Sequence, residues 1–103
     1  MKKEIKMFRQ GDLLFKEVDK IPEDAKEKKD GVIAEGEITG HKHVLRPGQQ
    51  AALMIAANVA YIHAVHQAYV DHQEHKTIDL PAGDYCVKRQ REFTPEGWRQ
   101  VAD

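Results

Sequence analysis

Cysteine, long apolar runs and net charge are scarce in this chain of 103 residues. The single cysteine, Cys86, excludes an intrachain disulfide and a thiolate zinc cage, so we expect a reducing cytoplasm. No apolar run approaches the roughly 20 residues of a membrane-spanning helix, which predicts no membrane partner. Because 16 Lys and Arg oppose 17 Asp and Glu, no global field draws the chain to nucleic acid.

The motifs of several enzyme classes are also missing. No serine-centred elbow and no phosphate-cradling glycine loop occur, which sets aside serine hydrolases, kinases and nucleotide-loop proteins. Cys86 lies beside Val87 in a strand-like stretch, so we expect a buried, inert thiol. Any metal ion would therefore be held by histidine and carboxylate.

Short strand-like segments separated by turn residues fill most of the chain. A chain of this length predicts one β-rich domain over residues 1–103. The predicted class is mainly β, a small β-barrel or β-sandwich with a short C-terminal helix. Within Met7–Val18, a turn is expected at Gln10-Gly11-Asp12 and a first strand over Leu13–Val18. Further strands are expected twice in Gly31–Arg46 and once in Tyr85–Phe93, with a charged loop over Asp19–Gly31.

Three further segments carry mixed or local signals. Ala51–Val70 combines alanines that favour a helix with branched and aromatic residues that favour strands. As strands, it would turn near Ala57-Asn58 and His66-Gln67. Leu80–Asp84 predicts a turn, and Thr94-Pro95-Glu96 predicts the start of the terminal helix, which Trp98 and Val101 would dock.

Two histidine clusters are the strongest indication of a site. His41 and His43 would share one face of a strand. His72 and His75 would reach one ion only through a bulge or a helical turn. With an oxygen from Glu37 or Glu74, these four histidines suit zinc, manganese, iron or nickel.

Other polar residues have more ordinary interpretations. His63 and His66 are expected to be exposed or hydrogen-bonded side chains outside the site. Arg89 and Arg91 lie on one face of the last strand, where guanidinium groups bind phosphoryl oxygens in bidentate fashion. The alternative for that basic face is solvation with cross-strand ion pairs.

The leading hypothesis is a small hydrolase that cleaves a phosphodiester or phosphate ester, of RNA or a nucleotide. The metal would bind His41, His43, His72 and His75 and activate water. Glu74 or Glu37 would act as base, and Arg91 with Arg89 would stabilise developing negative charge. Two alternatives remain open: a metal-independent His, Glu and Arg ribonuclease, and a non-catalytic metal-binding or interaction module. Exposed strand edges predict a homo-oligomer in all three cases.

Four segments together resemble a family of small, uncharacterised bacterial and phage proteins. The matching segments are Arg9–Leu13, Gly36–His43, Leu80–Tyr85 and Gln90–Pro95, with His72, Glu74 and His75 in a further recurring pattern. The resemblance carries no activity. It implies paired strands over Ala51–Val70, and it leaves His63 and His66 outside the shared pattern.

A weaker similarity connects the chain to the cupin barrels. Their first motif also has His-x-His after a glycine, and their second has Pro-x-Gly before a further ligand. The chain departs from both motifs, because no glutamate follows His43 at the expected distance and no histidine follows Gly83. The similarity thus implies a small β-barrel and no particular cupin site.

Overall fold

The computed structural model describes residues 5–35, 41–89, 91–94 and 97–100, the last two ranges as backbone alone. The strands in these residues are β1 (Met7–Gln10), β2 (Leu13–Val18), β3 (Lys26–Glu27), β4 (Val32–Glu35), β5 (Lys42–Leu45), β6 (Ala51–Ala56), β7 (Val59–Asp71), β8 (Ile78–Arg89), β9 (Arg91–Thr94) and β10 (Gly97–Gln100). The mainly β prediction is confirmed. Among these residues no helix is long and apolar enough to cross a membrane.

One eight-stranded antiparallel sheet contains β1 to β8. Its main path runs β1-β2-β8-β7-β5-β4, and β6 joins it through β7 while β3 pairs with β6. The long strand β7 thus has two neighbours on one side: β6 pairs with its first half, and β5 pairs with its last two residues. This division makes β5 and β6 diverge, so the sheet separates into two arms along one side of β7.

The predicted barrel, including the one that the cupin similarity implies, is wrong. The outer strands β1 and β4 do not pair with each other, so the sheet stays open. The sheet nevertheless curls far enough that Gln10 of β1 bonds His43 of β5 and Arg89 of β8 bonds the carbonyl of Glu35 in β4. Polar side chains therefore connect the two sides of the open sheet. We call the gap that they cross, where a closed barrel would have backbone pairing, the seam.

The hairpin of β6 and β7 confirms the paired strands expected over Ala51–Val70. Its turn residues Ala57 and Asn58 have φ of 49° and 64°, as a two-residue type I′ turn requires. The second expected turn, at His66-Gln67, is wrong: β7 continues, and its register with β8 shifts between Ala64 and Gln67. A bulge absorbs the irregularity without reversing the chain.

The expected turn at Leu80–Asp84 is also wrong, because these residues lie inside β8. Pro81 pairs with Gln67 and Gly83 pairs with Ala64, on the two sides of the register shift. Proline and glycine are tolerated in a strand at such a bulge. The buried Tyr85 hydroxyl donates to the Pro81 carbonyl at 2.7 Å, and burial raises the pKa of this phenol.

The predicted C-terminal helix is not found. Gly97–Gln100 form β10, which pairs with β9 in a separate two-stranded sheet, with Phe93 opposite Trp98. Gly97 is a poor helix former, and the backbone of Gly97–Gln100 pairs as a strand. Pro95 and Glu96, at the predicted start of the helix, lie outside the described residues. Val101, the other predicted contact of that helix, lies outside the described residues.

The apolar core is formed by buried side chains from β2, β5, β6, β7 and β8. Its largest fully buried apolar side chains are Leu13, Phe15, Leu53, Ile62, Leu80 and Tyr85. Cys86 is a free, buried thiol, which confirms its expected burial. Gln10, Asp12 and His43 are buried as well. These polar residues mark the end of the core where the seam lies.

Candidate functional site

His43 forms the base of the site and is fully buried. Its Nδ1 lies 2.8 Å from Oε1 of Gln10. The Gln10 amide nitrogen donates to the carbonyls of Val70 and Lys76, at 2.9 and 3.0 Å. Since that nitrogen is the donor, Oε1 is an acceptor and His43 Nδ1 must carry the proton. In the neutral ring, His43 Nε2 then presents a lone pair.

That second nitrogen of His43 faces Asp12. The distance from His43 Nε2 to Asp12 Oδ1 is 3.3 Å, and both side chains are fully buried. The other carboxylate oxygen accepts from Arg89 Nε at 3.0 Å, while Arg89 Nη2 donates to the Glu35 carbonyl at 2.9 Å. Arg89 therefore compensates the charge of Asp12 and holds it against His43.

The four histidines of the two sequence clusters come together above this base. The ring centroids are 4.4 Å apart for His43 and His72, and 4.6 Å for His72 and His75. His41 lies 5.6 Å from His72, and His43 lies 6.5 Å from His75. The convergence on which the site prediction depended is thus present.

A bend directly after β7 brings His72 and His75 together. His72 Nδ1 accepts the backbone N–H groups of Glu74 and His75, at 3.0 and 3.1 Å. The side chain thereby closes its own turn, as a short polar residue does in an Asx-turn. Sequence reasoning required a bulge or helical turn here, and this bend fulfils the same geometric purpose.

The bend is anchored at both ends. Arg46 donates two hydrogen bonds to Asp71, at 2.8 and 2.9 Å, and the Thr77 hydroxyl donates to the same carboxylate at 2.8 Å. The guanidinium of Arg46 holds the pKa of Asp71 below its usual range. The Lys42 amide donates to Gln73 Oε1 at 2.8 Å. These contacts fix the bend relative to β5, and hence His72 relative to His43.

The rim of the cluster is acidic and open to solvent. Glu74 Oε2 lies 3.7 Å from His41 Nδ1, and the Glu74 side chain is 61% exposed. Below the rim, the polar atoms facing the interior are inaccessible to water: Asp12 Oδ1, His41 Nδ1, His43 Nε2, His72 Nε2 and His75 Nε2. The site is therefore a buried set of nitrogen and oxygen atoms beneath a reachable carboxylate.

The remaining predicted residues lie apart from this cluster or cannot be placed. Glu37 lies outside the described residues, and so does the side chain of Arg91. His63 bonds Asp84 across the strand pair of β7 and β8, at 2.6 Å, and His66 is exposed.

Gln10 and Asp12 are the site residues that sequence reasoning missed. Both belong to the Arg9–Leu13 segment that carried part of the family resemblance. The sequence feature that could have revealed them is Gln10-Gly11-Asp12, in which an amide and a carboxylate flank a glycine between two strand-like segments. Within 5–35 and 41–89, no group of three or more His, Cys, Asp or Glu side chains is arranged so that it could hold a metal ion.

Comparison with known proteins identifies a family but no activity. A family model described as "Domain of unknown function (DUF8820)" matches residues 9–90. No curated protein and no solved structure matches the chain significantly. The matched range contains Gln10, Asp12, the whole histidine cluster and Arg89.

Proposed function

The chain belongs to the DUF8820 family, and we propose from its site that it is a small metal-assisted hydrolase. The histidine cluster would bind a divalent transition metal, either zinc, manganese, iron or nickel. The substrate would be a phosphodiester or phosphate ester, in RNA or a nucleotide. The contact between His43 and Asp12 carries the proposal.

The spacing of this contact suits two ligands of one ion. Zinc bonds of about 2.1 Å in a tetrahedral arrangement place two ligand atoms roughly 3.4 Å apart. His43 Nε2 and Asp12 Oδ1 are 3.3 Å apart, whereas a charge-assisted hydrogen bond is typically about 2.7–2.9 Å long. Gln10 supports the same interpretation, because a metal-bound imidazole commonly donates its other N–H to an oxygen acceptor.

The neighbouring imidazole rings would supply further ligands. Two imidazoles on one ion have centroids about 5 Å apart, given metal-nitrogen bonds of about 2.1 Å. The separations of 4.4–6.5 Å in the cluster bracket this value. We assign His41, His43, His75 and Asp12 as the ligands, with small ring rotations on binding. The hydrogen bonds of His72, the fourth histidine proposed from sequence, favour another role.

The chemistry follows from the arrangement of buried and exposed groups. A bound ion would lower the pKa of a water molecule towards neutrality. Glu74 at the rim would accept the proton, with Glu37 as the other proposed base. Arg89 holds Asp12 in position, and Arg91 is the proposed group for stabilising negative charge on the phosphoryl oxygens.

Metal analysis and hydrolysis assays on the same preparation test the proposal. Protein purified without chelator should contain about one transition metal ion per chain and cleave bis(4-nitrophenyl) phosphate or a short RNA. Chelation should abolish cleavage, and one of the four metals should restore it. Cleavage by metal-free protein, insensitive to chelator, would indicate the metal-independent ribonuclease. A bound ion without cleavage of either substrate would indicate a non-catalytic module.

We also propose a homo-oligomer in a reducing cytoplasm, where the lone thiol of Cys86 stays reduced. Met7 of the edge strand β1 is 58% exposed, and Ile5, two residues before it, is 53% exposed. A second copy of β1 would cover both side chains through backbone pairing.

Introducing a charge at the edge strand β1 tests the proposed oligomer. We expect wild-type protein to sediment as a dimer or larger species, and Met7→Lys to sediment as a monomer, because lysine blocks edge pairing. Val65→Lys is the matched control, since Val65 is also exposed but lies in the interior strand β7. A monomeric wild type, or equal dissociation by Val65→Lys, would contradict the proposal.

A further inference from the structure

A second pocket lies on the outer face of the sheet, the face that points away from the apolar core. His63 of β7 and Asp84 of β8 are cross-strand partners, and Ala52 of β6 is the partner of His63 on its other side. Cross-strand partners have their side chains on the same face. Ile62 and Tyr85, the chain neighbours of His63 and Asp84, are buried in the core. Because side chains alternate along a strand, His63 and Asp84 lie on the outer face.

The segment from residue 19 to residue 25, which we call the strap, crosses this outer face. It connects β2, which pairs with β8, to β3, which pairs with β6, so it passes β8, β7 and β6 between its ends. Within the strap, the Ala25 amide donates to the Pro22 carbonyl at 3.1 Å. An ion pair of 2.8 Å between Lys20 and Glu23 adds to this local structure. The strap thus has internal contacts of its own and covers part of the sheet.

Between the strap and the sheet is a cleft with a volume of about 290 Å³. Much of its lining is apolar, and these residues are Ile21, Pro22 and Ala25 of the strap with Ala52 and Met54 of β6. Small-molecule sites are typically concave and mainly apolar, with a few polar groups that orient the ligand. None of the described residues that line the cleft belongs to the histidine cluster. The cleft is therefore a separate candidate site.

The polar groups on the sheet side of the cleft are hydrogen-bond acceptors. His63 Nδ1 lies 2.6 Å from Asp84 Oδ1, and a carboxylate can only accept, so Nδ1 carries the proton. In the neutral ring, His63 Nε2 is then an acceptor as well. The side chains of His63 and Asp84 are 52% and 25% exposed, so both retain surface that a ligand can reach. Lys20, the cation in the lining, already donates to Glu23 at 2.8 Å.

We propose that the cleft binds a small organic ammonium ion, a primary amine with an apolar body. The ammonium group would donate to Asp84 and His63, while the apolar body would contact the strap and Met54. An ammonium group supplies donors only, which complements a site of acceptors, and its hydrogen bond to a carboxylate is charge-assisted. Asp84 would repel an anion. Binding here is independent of the proposed hydrolysis, because the cleft and the histidine cluster share none of the described residues.

Three probes with the same ring separate charge from apolar contact: benzylamine, benzyl alcohol and benzoate. At neutral pH the first is a cation, the second is neutral and the third is an anion. Calorimetry of the wild type should show benzylamine binding at least about tenfold more tightly than either of the others, because a hydrogen bond to a charged group contributes more than a neutral one. NMR titration with benzylamine should shift the backbone amides of the strap, Ala52 and Met54.

Asp84→Asn removes the charge while keeping the size of the side chain. It should weaken benzylamine binding about tenfold and leave benzyl alcohol binding within about twofold of the wild type. Asp79→Asn is the matched control, since Asp79 is also an exposed aspartate of β8 but does not line the cleft. Met54→Ala should weaken the binding of both probes, because it removes part of the apolar wall.

Thermal unfolding shows whether each variant is folded. His63→Phe, which removes both ring nitrogens, should weaken benzylamine binding without weakening benzyl alcohol binding, and it provides the second test if Asp84→Asn does not fold. Equal affinity of the wild type for benzylamine and benzyl alcohol would overturn the proposal, and so would tighter binding of benzoate. Binding of none of the three probes, or equal weakening of benzylamine binding by Asp79→Asn, would overturn it as well.

Discussion

Asp12→Ala should lower the free energy of unfolding by about 3 kcal/mol, because it removes the carboxylate that compensates a largely buried guanidinium. Asp12 is fully buried, and the side chain of Arg89 is only 23% exposed. Removing one partner leaves the other charge without its counterion in a poorly hydrated place, and breaking a fully buried pair costs about 3–5 kcal/mol. The partial exposure of Arg89 places the expected loss at the lower end of that range.

Urea unfolding of the wild type, Asp12→Ala and Arg89→Met, with the double variant, measures this coupling. The double variant should be more stable than the sum of the single losses predicts. Asp24→Ala, at an exposed aspartate, should change stability by no more than about 0.5 kcal/mol. Additive losses in the cycle would contradict the structural role assigned to the pair.

A second substitution at Asp12 separates folding from metal binding. Asp12→Asn keeps the shape of the side chain and still offers an oxygen to Arg89, so it should fold with a smaller loss than Asp12→Ala. A neutral amide is a poor ligand for transition metals, and we expect metal affinity to fall at least 10-fold. Full metal content in folded Asp12→Asn would exclude Asp12 from the ligand set.

Gly31→Ala should cost about 2 kcal/mol or more through the backbone that holds β5. Gly31 has a φ of +73°, and a Cβ there would lie 3.0 Å from the Leu45 carbonyl oxygen. The left-handed conformation alone costs an L-residue about 1–2 kcal/mol. Because the Leu45 amide also donates to the Gly31 carbonyl at 2.8 Å, relief of the contact would move the strand that carries His43.

Gly48→Ala is the matched control for this prediction. Gly48 has a similar φ of +81°, but a Cβ there meets nothing within 4 Å. It should therefore show the conformational cost alone, about 1–2 kcal/mol. Thermal unfolding of both variants checks the difference, and metal affinity should fall in Gly31→Ala only. Equal destabilisation by the two substitutions would show that β5 accommodates the contact freely.

The local pattern predicted a mainly β chain, but it misread two turns, at His66-Gln67 and at Leu80–Asp84. The turn at Ala57-Asn58 was predictable because it separates two β-like segments. Pro81 and Gly83 suggested another turn, yet both lie within β8. Proline and glycine show where regular pairing is interrupted. Whether the chain reverses or bulges there depends on the neighbouring strand, whose identity the local sequence does not contain.

The contacts of the histidines could not be predicted from the local sequence, for the same reason. Gln10 and His43 are 33 residues apart in sequence and lie in strands that do not pair with each other. They meet because β7 is shared between β5 and β6 and because the sheet curls without closing. No propensity or spacing within either segment encodes that meeting.

The sequence by itself determined a mainly β chain with one cysteine and two histidine clusters, because side-chain alternation and residue chemistry are local properties. Tertiary structure alone decided that the sheet stays open and that a buried polar network bridges its seam. It also decided which partners each ring meets, Gln10 and Asp12 for His43 and the backbone of its own bend for His72, because those groups come together only on folding.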